Sequence, residues 1–261
     1  MASVRLENVS VTFPVYDAAS RSLKMRIFSA SAGGGIRVET GSHKISVVQA
    51  LDNVTLVFEH GYRVGLVGHN GAGKSTLLRV LAGIYEPSLG NVEVQGNTAP
   101  LFDMSLGMDS ESTGYENIVL RGLFLGLSHN EIRERVDEIA EFSELGDFLD
   151  LPIRTYSTGM RMRLAFAIST SIDPDILLLD EGIGAGDAAF LEKANKRLNE
   201  FTKKAAIIVL ASHSEALVKN MCDKAVLMDR GRVVAQGKAE DILSMYHEQS
   251  STAGLQHLRY Q

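Results

Sequence analysis

Hydrophobic residues recur with two different periods along the chain, and the two periods predict two kinds of element. Apolar runs typical of strands occur up to about residue 104 and return after residue 172, whereas residues 105–171 follow the helical period. The strand signals lie at residues 4–13, 47, 54–58, 63–67, 175–180, 206–211, 225–228 and 232–235. The sequence therefore predicts an α/β fold that is interrupted by a helical lobe.

The first apolar run, residues 4–13, alternates apolar and polar side chains as an edge strand does, and we expect Pro14 to end it. An insertion of residues 14–46 follows, with a basic patch at 21–28 and three glycines at 33–35. The pattern of this patch fits a strand and a helix equally well.

Two capping boxes predict where helices of the lobe begin. They are formed by Thr113 with Glu116 and by Ser128 with Glu131. After the second box, Ile132, Val136 and Ile139 fall on one helical face. Near the end of the chain we expect a turn at 229–231, a helix at 238–248 and a loosely ordered polar tail.

Composition and charge exclude several classes of protein. A net charge of −6 gives no electrostatic reason to expect a nucleic-acid partner. The single cysteine, Cys222, excludes an intrachain disulfide, and we expect it to be a small buried apolar residue. The start lacks the apolar core of a secretory signal, and no apolar run reaches the ~18 residues that span a bilayer. We therefore expect a soluble, cytoplasmic chain.

Residues 68–76 fit the phosphate-binding pattern G-x-x-x-x-G-K-[ST], between a predicted strand and a predicted helix. Glycines allow successive backbone N–H groups and the helix N-terminus to point at phosphate oxygens. We expect Lys74 to reach the β- and γ-phosphates and the Ser75 hydroxyl to ligate Mg²⁺. The alternative is a glycine-rich turn that matches by accident. The expected nucleotide contacts are Gly68, His69, Asn70, Gly71, Ala72, Gly73, Lys74, Ser75 and Thr76.

A buried strand that ends in two carboxylates, Asp180 and Glu181, follows downstream. Ligands bind at the carboxyl ends of strands in open α/β sheets, so these acids are candidates for chemistry. We expect Asp180 to hold Mg²⁺, directly or through water, and Glu181 to polarise the attacking water. The alternative is a strand that ends in two solvated acids.

Ser157 and Gly159 precede a basic helix and predict a second anion-binding helix end. Taken alone, the same residues also fit an ordinary capped helix.

In this order, the motifs resemble the ATPase subunit of an ABC transporter from about residue 4 to 248. The resemblance implies a P-loop ABC ATPase fold, with a mixed sheet core, an antiparallel β edge and a helical signature lobe. It implies ATP and Mg²⁺ as ligands and a head-to-tail homodimer with two shared ATP sites. Ser157 and Gly159 would then contact the γ-phosphate of the other subunit, His213 would bond the γ-phosphate, and Asp187 would lie between the sites.

Two departures from the family pattern are visible. The usual Leu-Ser-Gly-Gly-Gln signature stands here as residues 156–160, which keep the serine and the second glycine. The family's Mg²⁺-binding glutamine is missing, since no glutamine occurs between Gln95 and Gln236. Asp103 or Met104 lies near its place, and Asp103 could ligate Mg²⁺.

An aromatic residue ahead of the phosphate loop is expected to stack on adenine, because the loop contacts only phosphates. Phe13 is the first candidate and Tyr16 the second, although either could be a core aromatic.

Residues 65–74, 155–160 and 180–187 resemble exporters of lipid-linked polysaccharides such as O-antigen and teichoic acid. The resemblance implies two copies of a polytopic membrane permease, indirect action on the glycan, and a peripheral place at the cytoplasmic face of the inner membrane. The insertion would dock on that permease or on lipid headgroups, or be a solvated loop without a partner.

We expect a single ATP-binding domain over residues 1–261, without an appended domain. It would comprise a RecA-like core at about 1–104 and 172–248, a helical lobe at 105–171, the insertion at 14–46 and a tail at 249–261. Three rival readings remain: an ABC transporter for another substrate, a soluble ABC-type ATPase acting on nucleic acid or ribosomes, and a nucleotide-gated binding module without turnover.

Overall fold

The computed structural model describes residues 1–15, 35–38, 46–180 and 188–257. These divide into unit 1, Met1–Gln95 with Val209–Gln261, and unit 2, Gly96–Ile208. The strands are β1 Ser3–Val15, β2 Gly35–Val38, β3 Ser46–Glu59, β4 Arg63–Val67, β5 Leu89–Gln95, β6 Thr98–Pro100, β7 Ile176–Asp180, β8 Ile207–Ala211, β9 Lys224–Asp229 and β10 Arg232–Lys238. The helices are α1 Lys74–Leu81, α2 Gly114–Phe124, α3 His129–Ser143, α4 Thr158–Ser169, α5 Ala188–Lys204, α6 Glu215–Met221 and α7 Ala239–His257. Within these residues no helix is long and apolar enough to cross a membrane.

An antiparallel sheet in unit 1 has the strand order β2-β3-β1-β5. The alternation in β1 places Val4 and Leu6 in the core, and their partners on β3 are the buried Phe58 and Leu56. The prediction of an edge strand was wrong, because β1 pairs with both β3 and β5. Alternation reports burial on one face, which an interior strand of an antiparallel sheet shows equally.

Pro14 does not end β1, which continues to Val15. The pairing of β1 with β5 ends at Ser10, whereas its pairing with β3 continues to Val15. A proline lacks the N–H that a strand with two neighbours needs, and beyond Ser10 the described residues pair β1 with β3 alone. The loss of one donor is therefore tolerated there.

The two strand signals after the insertion form one strand, β3, with an irregularity in the middle. Asn8 on β1 and Asn53 on β3 both have left-handed backbone conformations, with φ of 52° and 55°. Asparagine tolerates this conformation better than most residues. The Asn8 amide donates to Thr55 Oγ1 and the Asn53 amide donates to Ser10 Oγ, so both irregular points keep hydrogen-bond partners.

The second sheet of unit 1 is mixed. Strand β4 is parallel to β9, and β9 is antiparallel to β10 across a turn at Arg230 and Gly231. The predicted strands, turn and final helix in this region are therefore present. Helix α7 continues to His257, so the expected loose tail from residue 250 is corrected to a helix up to that point. Cys222 is buried at 6% exposure, as predicted.

Unit 2 contains the parallel pair β6–β7 and the helices α2 to α5. Both predicted capping boxes are present at the starts of α2 and α3, with reciprocal side-chain and backbone bonds. The apolar faces of α2, α3 and α4 bury a common cluster. Its buried members are Ile118, Ile132, Ile139, Leu145, Leu149, Ile153, Tyr156, Leu164, Ala167 and Ile168.

Five elements were absent from the sequence prediction: β2, β5, β6, α5 and α6. Helix α5 packs against α3 and α4 through aromatic contacts, a cation–π contact and an ion pair. Phe190 packs against Phe142 and Phe166, and Arg197 lies over the Phe142 ring while its Nη2 bonds Glu138. Phe190, Leu198 and Phe201 recur at helical spacing, so the sequence carries a signal for α5 that the prediction overlooked.

Candidate functional site

Residues 68–73 form the loop between β4 and α1, in the strand–loop–helix context that the sequence predicts. Gly73 precedes α1 with φ of 102° and comes close to the backbone of β3. A Cβ on Gly73 would lie 2.8 Å from the Ala50 carbonyl oxygen, so this position requires glycine. The first N–H groups of α1 have no partner within the helix, which makes this end suitable for an anion.

Lys74 lies at the first position of α1 and is only 8% exposed. Its ammonium donates to the carbonyl oxygens of Gly68, at 2.5 Å, and His69, at 3.2 Å. The same Nζ lies 3.4 Å from His213 Nε2. Residues 139 positions apart, both selected from the sequence, thus meet at one loop. Ser75 follows in the first turn of α1 and is half-buried.

His213 follows the buried strand β8, whose last residue is Ala211. The Ser212 amide donates to Leu66 O, which attaches the end of β8 next to β4. The Ser214 amide donates to Ser212 Oγ, and Ser214 caps α6. His213 is therefore held between a strand end and a helix cap, on a backbone with few alternative positions.

The turn between β9 and β10 supports the phosphate loop from behind. The Gly231 amide donates to the Ala72 carbonyl, and the Gly231 carbonyl accepts from the Asp52 amide, both at 2.9 Å. Arg232 pairs with the Asp52 carboxylate at 2.5 Å. Hydrogen bonds thus join the phosphate loop, the β9–β10 turn and β3. The sequence did not reveal this connection because its members are far apart along the chain.

The aromatic candidates have different outcomes. Phe13 is half-buried and its ring packs edge-on against Tyr85, with centroids 5.2 Å apart. Tyr16 lies outside the described residues. A second ring contact, 5.2 Å between His69 and Tyr246, joins the phosphate loop to α7. Sequence reasoning named neither Tyr85 nor Tyr246 as a partner of these rings.

In unit 2, Asp180 is the last residue of β7, whose preceding residues 176–179 are all buried. The Asp180 carboxylate is therefore positioned by a rigid, buried strand, as the sequence predicts. Glu181 and Asp187 lie outside the described residues, so their expected roles stay predictions.

Ser157 is the N-cap of α4, and its hydroxyl accepts from the Met160 amide at 3.2 Å. The neighbouring Tyr156 is 4% exposed, and its hydroxyl donates to the Phe148 carbonyl. Burial, followed by the nearby Asp150 carboxylate, raises the pKa of Tyr156 to about 12, so its O–H stays protonated. Tyr156 thereby fixes the start of α4. The capped helix is observed, and an anion-binding role for this end remains a prediction.

Asp103 lies in the segment after β6, where the family's glutamine is missing. Its Oδ1 accepts from the Ser105 hydroxyl at 2.7 Å and from the Ser105 amide at 3.3 Å. Sequence reasoning missed two buried polar residues of α2, Asn117 and Arg121. Arg121 bonds the backbone of this segment, whereas Asn117 bonds the backbone of residues 109, 112 and 113. Their spacing of four residues, on one face of a helix with many apolar positions, was the available signal.

The expected protein ligands fit Mg²⁺ only if a bound nucleotide and water supply the rest of its shell. Among the described residues, no three His, Cys, Asp or Glu side chains form a group that could hold a metal ion. Mg²⁺ bound with a nucleotide usually takes only one or two protein ligands and completes its shell with phosphate oxygens and water. A serine hydroxyl at a phosphate loop and a carboxylate at a strand end are ligands of that kind.

Comparison with known proteins gives consistent results. A profile of the ABC transporter family matches residues 51–184. The O-antigen export system ATP-binding protein RfbE of Yersinia enterocolitica is 47% identical, over 89% of this chain and 97% of that protein. RfbB of Myxococcus xanthus, with the same description, is 41% identical over 85% of this chain, which spans about half of that protein (51%). The teichoic acids export ATP-binding protein TagH of Bacillus cereus is 36% identical over 94% of this chain and 42% of that protein.

Solved structures share the fold. The ATP-binding subunit of an ABC transporter superposes with a TM-score of 0.65 at 24% identity, covering 94% of this chain and 93% of its own. A dimeric bacterial ABC transporter cassette gives a TM-score of 0.61 at 22% identity, covering 90% and 98%.

Proposed function

Because this chain belongs to the ABC transporter family, we propose that it is the ATP-hydrolysing subunit of an exporter for lipid-linked polysaccharide. A separate polytopic membrane subunit, in two copies, provides the path across the membrane. The observation that carries the proposal is the 47% identity to an O-antigen export ATP-binding protein along 97% of that protein. The family and the fold expected from the sequence are confirmed.

In this proposal the phosphate loop binds the phosphates of the nucleotide. Lys74 now donates to two neutral carbonyl oxygens, and with ATP bound it donates to β- and γ-phosphate oxygens. Hydrogen bonds between an ammonium and a charged acceptor are roughly twice as strong as neutral ones. The exchange therefore favours binding of the triphosphate. His213, 3.4 Å from the same ammonium, is placed to bond the γ-phosphate.

Mg²⁺ supplies charge neutralisation at the transferred phosphoryl group when it is bound. We assign the Ser75 hydroxyl and the Asp180 carboxylate as its protein ligands, with Asp103 as the substitute for the missing glutamine. Glu181 accepts a proton from the attacking water, and a positioned general base typically contributes about 10²–10⁴ in rate.

The active form is a head-to-tail homodimer at the cytoplasmic face of the inner membrane. Ser157 and Gly159 of one chain contact the γ-phosphate held by the other, and Asp187 lies in the segment that joins the two sites. The likeness to a dimeric ABC transporter cassette supports this arrangement, as does the capped start of α4 at Ser157.

Mixing two mutant chains tests the shared sites. Lys74→Ala weakens nucleotide binding, and Ser157→Arg blocks the signature end sterically. If sites are shared, a mixed dimer has one site with both lesions and one site with none. Mixtures should then regain ATP-dependent dimerisation and phosphate release that neither parent has. Mixtures no more active than the parents contradict the head-to-tail arrangement.

Export is tested by removing the chain from its own cells. We expect surface polysaccharide to disappear and lipid-linked glycan to accumulate inside, and expression of the wild-type chain should restore the surface glycan. A Glu181→Gln chain should fail to restore it. Normal surface glycan in the depleted cells would favour a transporter for another substrate, and absence of phosphate release from the purified wild type would favour a non-hydrolysing binding module.

A further inference from the structure

Arg121 is a fully buried cation on α2, with an exposure of 0%. Its Nη1 donates to the Met104 carbonyl at 2.8 Å and to the Leu106 carbonyl at 2.5 Å. Its Nε and Nη2 both donate to Ser169 Oγ, at 3.1 and 2.8 Å. One planar guanidinium therefore joins three separate pieces of unit 2.

The hydrogen bonds of Arg121 have a role that an apolar side chain of the same volume could not take. Burial lowers the pKa of Arg121 to about 10, while the Asp103 carboxylate acts in the opposite direction. Desolvation of a cation among neutral acceptors is unfavourable, and Leu or Met would occupy the same volume without it. The specific contribution of arginine is a rigid fork of N–H groups that can hold several acceptors at once.

One end of this link is the short segment of residues 103–108. Asp103 closes its start through Ser105, and the Met108 amide donates to Ser105 O at 3.1 Å. Gly107 approaches α2 so closely that a Cβ there would lie 2.7 Å from Phe124. The segment is therefore a shaped element, whose outward carbonyls at 104 and 106 are both held by Arg121.

The other end of the link is the last turn of α4. Ser169 Oγ also donates to the Ala165 carbonyl of its own helix, so the hydroxyl is fixed on both sides. Helix α4 begins at the Ser157 cap. A helix is a stiff rod, so a displacement of residues 103–106 is transmitted from Ser169 to the start of α4.

We propose that Arg121 is a positioning residue for ATP hydrolysis, because it fastens residues 103–106 to the last turn of α4. The segment and the helix then shift as one body when nucleotide closes the dimer. The inference rests on the proposed function, which places Asp103 and Ser157 at the nucleotide. The inference concerns ATP hydrolysis rather than ATP binding, because Lys74, which binds the phosphates in the proposed function, lies in unit 1.

The first test is Arg121→Lys, with Arg135→Lys as its matched control. Lysine keeps the charge but has no fork to hold both ends. Arg135 lies in the same lobe and bonds Ser171 O and Glu131 O, which are not part of the segment. We expect kcat of Arg121→Lys to fall about 10- to 100-fold, as misplacement remote from the chemistry does, with KM for ATP unchanged. The Arg135→Lys chain should keep its kcat.

The second test is Ser169→Ala, which leaves the Arg121 bonds to residues 104 and 106 in place and removes the link to α4. Its control is Ser143→Ala, another buried helical serine with a local bond, to Ala140 O. Hydrogen exchange at the Met108 amide should be faster in Arg121→Lys and unchanged in Ser169→Ala, yet kcat should fall in both. This variant decides the question if Arg121→Lys does not fold.

Wild-type kcat in Ser169→Ala overturns the inference, and so does an equal loss of kcat in the control variants. A wild-type chain without phosphate release refutes the proposed function and this inference together. An active wild type with an equally active Arg121→Lys chain refutes the inference alone.

Discussion

Gly231→Ala should damage the phosphate loop from behind without touching the nucleotide. Gly231 has φ of 80°, and a Cβ there would lie 2.7 Å from the Ala50 carbonyl oxygen. Its amide and carbonyl hold Ala72 and Asp52. The substitution therefore combines an unfavourable backbone conformation with a collision, at a point where three segments meet.

The magnitude follows from these two terms. A non-glycine residue in the left-handed region costs about 1–2 kcal/mol of the free energy of unfolding. A Cβ forced against a backbone atom adds about 1–3 kcal/mol, as overpacking does. The total of about 2–5 kcal/mol corresponds to a fall in Tm of roughly 4–20 °C, at about 2–4 °C per kcal/mol for a chain of this size.

Gly83→Ala is the matched control. Gly83 has a similar φ of 70°, but a Cβ there would have no atom within 4 Å. The Gly83→Ala chain should lose only the conformational contribution to the free energy of unfolding, about 1–2 kcal/mol. Thermal unfolding and ATP titration of both variants give the comparison. Loss of the bond to Ala72, worth about 1 kcal/mol, should lower the affinity of Gly231→Ala for ATP by about fivefold. Equal Tm values and equal ATP affinities for the two variants would refute this account of the loop.

Three further outcomes are expected. Lys74→Ala should lose ATP affinity by at least about tenfold, measured by titration, because a buried cation leaves the loop; wild-type affinity would contradict its role. Glu181→Gln should still bind ATP but release phosphate about 10²–10⁴ times more slowly and accumulate as a dimer in size-exclusion chromatography with Mg-ATP; normal turnover would show that another group is the base. Thr113→Ala removes the capping box of α2 and should cost about 1 kcal/mol in chemical unfolding, with ATP affinity unchanged; a weaker affinity would mean that α2 acts on the nucleotide grip.

Sequence reasoning succeeded where the information is local. The phosphate loop, the two capping boxes and the strand that carries Asp180 depend on residues within a few positions of each other. Their spacing alone determines which backbone groups meet. His213 is a partial exception, because the family resemblance rather than spacing selected it and the structure then places it beside Lys74.

Sequence reasoning failed where the partners are remote. Arg121 bonds to Ser169 across 48 positions, and its four-residue spacing from Asn117 on one helical face does not identify so remote a partner. Gly231 looked like an ordinary turn residue, because its contacts to Ala72 and Ala50 appear only after β3, β9 and β10 are assembled. The alternation in β1 likewise reports which face is buried and not how many neighbouring strands are present.

The burial of Cys222 has a practical consequence for labelling. It is the only cysteine of the chain, it is 6% exposed, and burial raises its pKa to about 12, with Asp223 adding to the effect. Thiol reagents attack the thiolate, of which only about one in 10⁵ is present at pH 7 for such a group. A cysteine introduced at an exposed position, such as Leu123 on α2, would therefore be the one reactive thiol among the described residues. A fluorophore could be attached there without first replacing the native cysteine, and its emission would follow unit 2 through successive rounds of ATP hydrolysis.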